Sequence, residues 1–329
     1  MTAHLTYLEA AVVGLIQGVS ELFPVSSLGH NVLLPALIGG SWANDLSVSK
    51  TESPYLAFIV GLHVATALAL LIYFWRDWIR IIGGFFSSVR HMRVETVNER
   101  LAWMIILCTI PVGIAGLLFE HAFRVIFAKP ILAAVFLIIN GLILLSGERF
   151  RTRASVEADE YVATERDQSL NSRRQGAGRH ASGQQAVRQE ELALAVQADR
   201  RLSTIGYARA TIIGSVQILA LLAGISRDGV TMVAGMARGL SREDAARFAF
   251  LLATPVILAA GALKAKDLVG PLGHGIHGQI LLGSLLSGIG AYLSVRFLVK
   301  YLQTRTLTPF GIYCIVFGLG CVVYLGLIK

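Results

Sequence analysis

Two short polar runs interrupt apolar sequence, one in each half of the 329-residue chain. A carboxylate, an imidazole, a guanidinium and several hydroxyls in one place could bind an anion such as phosphate and activate a nucleophile on it. Ionisable groups cost free energy in lipid, so such residues are functional-site candidates by default. The candidate residues in the two runs are Gln17, Glu21, Ser26, Ser27, His30, Gln217, Ser226, Arg227, Asp228 and Thr231.

The two runs can be laid over each other. The matched pairs are Gly14 with Gly214, Gln17 with Gln217, Ser26 with Ser226, and Gly29 with Gly229. Matching broken helical segments in the two halves of a membrane chain indicate a binding site at the interface between structural repeats.

The middle of each run has the residues of a helix start. Pro24 ends or kinks a first helix, and Ser26 and Ser27 are good N-cap residues for a second one. A helix N-terminus binds phosphate readily, and Ser226 can cap a matching helix in the second run. Because Arg227 can bind phosphate oxygens bidentately, the two N-termini and this arginine form a candidate diphosphate cradle, with Thr231 as a further hydroxyl.

Glu21 lies four residues after Gln17, on the same face of a helix, and an ionised glutamate in an apolar segment needs a partner. That partner could be Arg227, His30 or a bound Mg²⁺ or Ca²⁺ ion held by Glu21. His30 could act as a base, an acid or a nucleophile, and the sequence leaves these roles open.

Each candidate also has a purely structural interpretation. Glu21 and Arg227 could form a buried ion pair, and His30 could be a hydrogen-bonded core histidine. The serines could be helix caps only, and Thr231 could bond to its own helix backbone. His63, inside an apolar span, is either a buried polar contact or a further site residue.

Composition defines the class of protein that must position these residues. Hydrophobic residues make up 54% of the chain and charged residues 15%, which is far more apolar than a soluble domain requires. Windows near the roughly 20 residues that span a bilayer predict an all-α, polytopic membrane protein with about six transmembrane helices. These windows are 56–75, 101–119, 131–146, 248–263, 279–299 and 309–328.

Basic residues gather on one predicted side of the membrane, 21 against 6, which predicts that this side is cytoplasmic. The formal charge of +8 therefore follows the membrane topology, and we expect no nucleic-acid partner. The polar segment 149–206 lies on the same side and is predicted to be a cytoplasmic, largely disordered insertion.

We therefore predict a single membrane domain over 1–329, with one repeat at about 1–148 and a second at about 207–329. Three spans separate the polar runs. If each run is a re-entrant helical hairpin, the hairpins enter from opposite faces, which is inverted-repeat topology. Irregular backbone at membrane depth must be buried in protein or line a cavity, so the two hairpin tips should meet.

The polar runs resemble two motifs of the undecaprenyl-diphosphate phosphatase family, also called bacitracin-resistance proteins. The first motif is Glu or Gln, three residues, Glu, then Pro-Val-Ser-Ser and Gly-His, and the second is Pro-Gly-x-Ser-Arg-Ser-Gly-x-Thr. The likeness covers nearly the whole chain except about 150–203. The matching residues are Gln17, Glu21, Pro24, Val25, Ser26, Ser27, Gly29, His30, Gly224, Ser226, Arg227, Gly229 and Thr231. The chain departs from the pattern with Leu28 in place of a common Thr, Ala223 in place of Pro and Asp228 in place of Ser.

The resemblance implies hydrolysis of undecaprenyl diphosphate to the monophosphate and phosphate, which recycles the lipid carrier for cell-wall synthesis and confers bacitracin resistance. It implies a multi-pass protein of the bacterial inner membrane, with an active site that opens to the outer face. A polyprenyl diphosphate would be the substrate. The sequence does not decide the oligomeric state, and a homodimer is one alternative. The alternatives are a transporter or flippase for a polyprenyl phosphate or another anion, which inverted repeats suit equally well, and a non-catalytic scaffold.

Overall fold

The computed structural model describes residues 5–46, 54–127, 129–176, 183–264 and 275–328. Every regular element in these ranges is a helix, which confirms the all-α prediction. The helices outside the polar runs and the 149–206 segment are α3 Gly40–Asp45, α4 Pro54–Tyr73, α5 Trp75–His91, α6 Val97–Phe127, α7 Pro130–Arg149, α12 Arg242–Leu263, α13 His277–Tyr301 and α14 Thr308–Val323, which continues into a π-helical turn, Tyr324–Ile328.

Each polar run folds as two helical pieces around a break. In the first run, α1 (Tyr7–Leu22) ends just before Pro24, and α2 (Ser27–Ile38) follows. In the second run, α10 (Tyr207–Ser215) and a 3₁₀ helix (Val216–Leu221) precede α11 (Arg227–Ala237). Ser26 and Ser226 are the N-cap residues of α2 and α11, which confirms that part of the prediction.

The six predicted spans fall on α4, α6, α7, α12, α13 and α14. Five of the described helices are long and apolar enough to cross a membrane, and the number rises to seven if each of two sharply bent pairs counts as a span. One bent pair is α4 with α5, at 87°, and the multi-pass membrane architecture is confirmed. The re-entrant course of the hairpins and the inverted repeats stay predictions.

The 149–206 segment differs from the disorder predicted for it, because much of it forms α8 (Arg153–Gly176) and α9 (Gly183–Ser203). Ion pairs dock these helices on the rest of the protein. Asp199 of α9 lies 2.7 Å from Arg80 and 2.8 Å from Arg247, and Arg201 lies 2.7 Å from Asp244. The composition of this segment favours disorder because it carries no information on ion-pair partners elsewhere in the chain.

The two broken segments share one neighbour. Helix α7 packs against both α2 and α11, while α13 packs against α1 and α4. The tips of both hairpins are therefore held against the same membrane helix.

Candidate functional site

The tips of the two hairpins touch through their backbones. The amide of Gly224 donates to the hydroxyl oxygen of Ser26 at 3.2 Å. A Cβ on Gly29 would lie 2.9 Å from the Cα of Gly224, and a Cβ on Gly224 would lie 2.4 Å from the carbonyl oxygen of Ala133. Gly224 also has a φ of +110°, so glycine is required there for both its conformation and its size.

Ser26 holds the first tip in a strained conformation. Its φ is 67° and its ψ is 98°, which is a rare conformation for a residue with a side chain. Its hydroxyl accepts the amides of Gly29 and Gly224, both at 3.2 Å. Backbone strain of this kind persists only where the surroundings enforce it, and it clusters at functional sites.

Asn140 of α7 joins the two tips from the side. Its Nδ2 donates to the carbonyl of Pro24 at 2.9 Å, and its Oδ1 accepts the amide of Ser226 at 3.0 Å. Asn140 is fully buried, and the sequence analysis missed it. The signal that could have found it is a polar side chain inside the apolar span 131–146.

Glu21 is the centre of the site. Its Oε1 accepts from Nη2 of Arg227 at 2.5 Å, and its Oε2 accepts from Nε2 of Gln17 at 2.9 Å and from the hydroxyl of Ser27. The Nε2 atom of His63 lies 3.5 Å from the same Oε2. Four residues that the sequence analysis named thus converge on one buried carboxylate.

A second amide fixes the orientation of Gln17. Nδ2 of Asn31 donates to Oε1 of Gln17 at 2.6 Å, and this leaves the amide nitrogen of Gln17 to face Glu21. Both amide side chains are buried. Gln17 is therefore a positioning residue for Glu21, and Asn31 is a second residue that the sequence analysis missed.

His30 lies apart from this cluster. Its Nδ1 pairs with the carbonyl of Ser26 at 2.7 Å, and its Nε2 pairs with the hydroxyl of Tyr313 at 2.7 Å. The ring also stacks near Tyr313 and Phe317, with ring centroids 5.8 and 5.3 Å away. Among the described residues, neither Glu21 nor Arg227 is a partner of His30, so the structure brings His63, and not His30, to the carboxylate.

The remaining candidates of the second run hold the start of α11. The hydroxyl of Ser226 accepts the amide of Gly229 at 3.1 Å, and the hydroxyl of Thr231 donates to the carbonyl of Arg227 at 2.7 Å. Asp228 is buried, and its Oδ1 lies 3.7 Å from Nε of Arg227. Within the described part of the chain, neither carboxylate oxygen of Asp228 has a hydrogen-bond partner.

The groups around Glu21 can carry out acid–base chemistry beside a bound anion. A hydroxyl donates to a carboxylate, and a guanidinium whose side chain is mostly buried lies beside them. Both oxygens of Glu21 already accept hydrogen bonds. In the described ranges, no group of three or more His, Cys, Asp or Glu side chains is arranged to hold a metal ion.

Comparison with known proteins assigns the family. Residues 10–320 match the family model described as bacitracin resistance protein BacA. The chain is 58% identical to an undecaprenyl-diphosphatase of Mycolicibacterium paratuberculosis, over 99% of this chain and all of that protein. It is 54% identical to undecaprenyl-diphosphatase 2 of Frankia alni, over 97% and 98% of the two chains, and 39% identical to undecaprenyl-diphosphatase 2 of Chromobacterium violaceum, over 94% and 96%. With its two polar runs joined at one buried carboxylate, this chain belongs to the bacitracin resistance protein BacA family.

Proposed function

We propose that this protein is an integral membrane phosphatase that hydrolyses undecaprenyl diphosphate to undecaprenyl phosphate and inorganic phosphate. Relatives that share more than half of their residues with this chain over nearly its full length are named undecaprenyl-diphosphatases. The observation that carries the proposal is the contact of Glu21 with both Ser27 and Arg227 where the hairpin tips meet. The reaction recycles the lipid carrier of cell-wall synthesis, and it confers bacitracin resistance by lowering the amount of the diphosphate that bacitracin binds.

Substrate binding follows from the charges at the tips. Arg227 offers a planar guanidinium to the phosphate oxygens, and the N-termini of α2 and α11 offer backbone N–H groups. The polyprenyl tail can stay in lipid while the diphosphate reaches the polar cluster between the helices. Ser26 and Ser226 shape these N-termini as caps, and Thr231 supports the first turn of α11.

The chemical step uses Glu21 as the base. The hydroxyl of Ser27 already donates to Glu21, so Glu21 can take the proton of this hydroxyl or of a water molecule that replaces it. With water as the nucleophile, the new P–O bond forms at the terminal phosphorus, the bridging P–O bond breaks, and the proton taken by Glu21 passes to the phosphate products. With Ser27 as the nucleophile, the same displacement releases undecaprenyl phosphate, which takes the proton from Glu21, and leaves a phosphoserine. A water molecule that Glu21 deprotonates then breaks the Ser27 O–P bond, which releases inorganic phosphate and returns the proton to Ser27. Arg227 stabilises the negative charge that develops on the phosphoryl oxygens.

His30 supports the first tip in this scheme. Its Nδ1 bond to the carbonyl of Ser26 and its Nε2 bond to Tyr313 hold the strained turn that begins α2. We therefore infer that His30 is a positioning residue for Ser26 and Ser27 and neither the base nor the nucleophile.

We propose that a divalent cation, Mg²⁺ or Ca²⁺, binds together with the phosphates of the substrate and is not held by the protein alone. Glu21, the carboxylate predicted from the sequence as a ligand, has both oxygens engaged by protein donors. Phosphate release in the presence of a chelator, and again after addition of each ion, tests this dependence.

The location and orientation of the protein in the membrane are proposed from the distribution of its charged residues. The excess of basic residues on the side of α8 and α9 supports a cytoplasmic location for these helices, in the inner membrane, with the active site open to the outer face. Labelling of single cysteines in intact cells tests the orientation. A homodimer is a proposed assembly, which light scattering of the detergent-purified protein tests.

The decisive experiment is phosphate release from undecaprenyl diphosphate by detergent-purified protein with Mg²⁺ or Ca²⁺. Wild type is compared with Arg227→Ala and with Glu157→Gln, a surface control whose side chain pairs with Arg153 in solvent. The phosphatase proposal is supported if wild type and Glu157→Gln release phosphate and Arg227→Ala does not. If folded wild type releases nothing with either ion, the transporter alternative gains, and flux into liposomes would be measured next.

A further inference from the structure

His63 occupies a position in the site that the mechanism above leaves without a role. Its ring lies on α4, with Nδ1 2.9 Å from the carbonyl of Ile59 and Nε2 3.5 Å from Oε2 of Glu21. A carbonyl can pair only with a protonated nitrogen, so Nδ1 is the donor to Ile59 and Nε2 is the atom that faces the site. Nε2 is a donor as well when the ring carries both protons, the form that pairs with the carboxylate of Glu21.

Contacts of the neighbouring residues Leu62 and Val64 hold helix α4 in place beside the site. On one side, the carbonyl of Leu62 accepts the hydroxyl of Ser287 of α13 at 3.3 Å. On the other side, Val64 fits so closely against α12 that a Cβ on Gly261 would lie 2.6 Å from one of its methyl groups. Helix α4 is therefore held from two sides at the residues that flank His63.

Exposure orders the groups that an incoming anion meets. The side chains of His63, Arg227 and Glu21 have relative exposures of 27%, 15% and 5%. Two nitrogen donors are thus more accessible than the carboxylate between them. We therefore expect a phosphate group that approaches Glu21 from its exposed side to meet His63 and Arg227 first, and both side chains suit phosphate oxygens.

We propose that His63, with both ring nitrogens protonated, is a second phosphate-contacting residue, which donates from Nε2 to the diphosphate of the polyprenyl substrate opposite Arg227. Glu21 occupies both donors when substrate is absent and gives them up when the diphosphate binds. This inference rests on the proposed function and deepens it, because it names a recognition residue for the same substrate.

The test is binding of a polyprenyl methylenebisphosphonate, a diphosphate analogue that cannot be hydrolysed, to the full-length protein. Wild type is compared with His63→Ala, His63→Gln and His91→Gln. The control, His91, is exposed and bonds within its own helix, to the carbonyl of Ser87. A hydrogen bond to a charged group predicts that His63→Ala weakens binding about 10- to 100-fold. His63→Gln, which keeps a donor, should lose less, and His91→Gln should bind as wild type.

Steady-state kinetics distinguish a phosphate contact by His63 from a role in which His63 only positions Glu21. For a phosphate contact, KM for undecaprenyl diphosphate rises in His63→Ala together with the dissociation constant of the analogue. A fall in kcat with unchanged KM and unchanged analogue binding overturns the proposal, and so does wild-type affinity of a folded His63→Ala protein.

The binding assay also keeps the two proposals apart. If wild type binds the analogue but releases no phosphate, and His63→Ala does not bind the analogue, the His63 contact is supported and the phosphatase proposal fails. If wild type releases phosphate and His63→Ala binds the analogue normally, the phosphatase stands and the His63 contact fails.

Discussion

Nη2 of Arg227 lies 2.5 Å from Oε1 of Glu21, although the two residues are 206 positions apart in the chain. Each belongs to a different polar run, and each stands beside the break in its own helical hairpin. The ion pair therefore joins the two halves of the protein at the place where the proposed reaction occurs. It also neutralises both charges in a buried setting, where either one alone would be costly.

Substitution Glu21→Gln removes the proposed base while it keeps the size of the side chain. We expect kcat for phosphate release to fall by about 10²- to 10⁴-fold, the usual contribution of a general base. The thermal unfolding midpoint in detergent serves as the control for folding. A folded Glu21→Gln protein with kcat close to wild type would remove Glu21 from the chemical step.

A single-turnover reaction with substrate labelled on its terminal phosphate tests the role of His30. Because both ring nitrogens already have partners, we expect labelled inorganic phosphate to form with no phosphohistidine. Quenching under basic conditions would preserve such an adduct. Its detection at position 30 would show that the ring leaves Ser26 and attacks phosphorus.

Two substitutions of Ser26 separate strain from hydrogen bonding. Both Ser26→Ala and Ser26→Gly remove the hydroxyl that accepts two backbone amides. Only glycine relaxes at a φ of 67°, so Ser26→Gly should be more stable than Ser26→Ala by about 1 kcal/mol or more. Unfolding midpoints of the two variants, measured side by side, provide the comparison, and the reverse order would contradict the strain at this residue.

Replacement of Asn140 by Leu leaves the amide of Ser226 and the carbonyl of Pro24 buried without this partner. Each unsatisfied group costs about 1–3 kcal/mol, so we expect a clear fall in the unfolding midpoint and in kcat. Asn44→Ala, at an exposed asparagine that bonds to the carbonyl of Gly40, is the matched control and should change neither quantity. Equal behaviour of the two variants would show that the tips do not depend on Asn140.

Asp199→Asn tests how α9 is held. The carboxylate of Asp199 is buried between Arg80 and Arg247. Asp77 also pairs with both arginines, at 2.6 and 3.0 Å, so we expect Asp199→Asn to cost less than the roughly 3–5 kcal/mol of a buried charge left alone. The exposed Arg153–Glu157 pair gives the contrast, since Glu157→Gln should cost at most about 0.5 kcal/mol. Denaturant titrations in detergent, with helix content as the signal, measure the free energy of unfolding of both variants. If Asp199→Asn and Glu157→Gln lose equally little stability, the docking of α9 is weak.

Local sequence was sufficient to predict the spans, the helix breaks and the capping serines, because apolar length and N-cap chemistry act within a few residues. The pairing of Glu21 with Arg227 was also among the predicted alternatives, since a charge in lipid needs an opposite charge. Which histidine faces Glu21 could not be decided in this way. His30 and His63 both lie in apolar surroundings, and the choice depends on how α4 is rotated against α12 and α13.

The same limit explains the two other differences. The function of Asn140 depends on backbone groups of Pro24 and Ser226, which only the assembled fold brings beside α7. Helices α8 and α9 look too polar to fold alone, and their order comes from arginines and carboxylates far away in the chain. In each case the missing information is a long-range contact.

The meeting of the tips through Gly224, Ser26 and Asn140 has a consequence for how material passes through the site. Alternating access would require the two halves to separate at this point in every cycle, and with them the bonds from Gly224 to Ser26 and from Asn140 to both tips. Hydrolysis requires no such separation. The tips can therefore stay joined throughout turnover, and the protein can act on its substrate without separating its two halves.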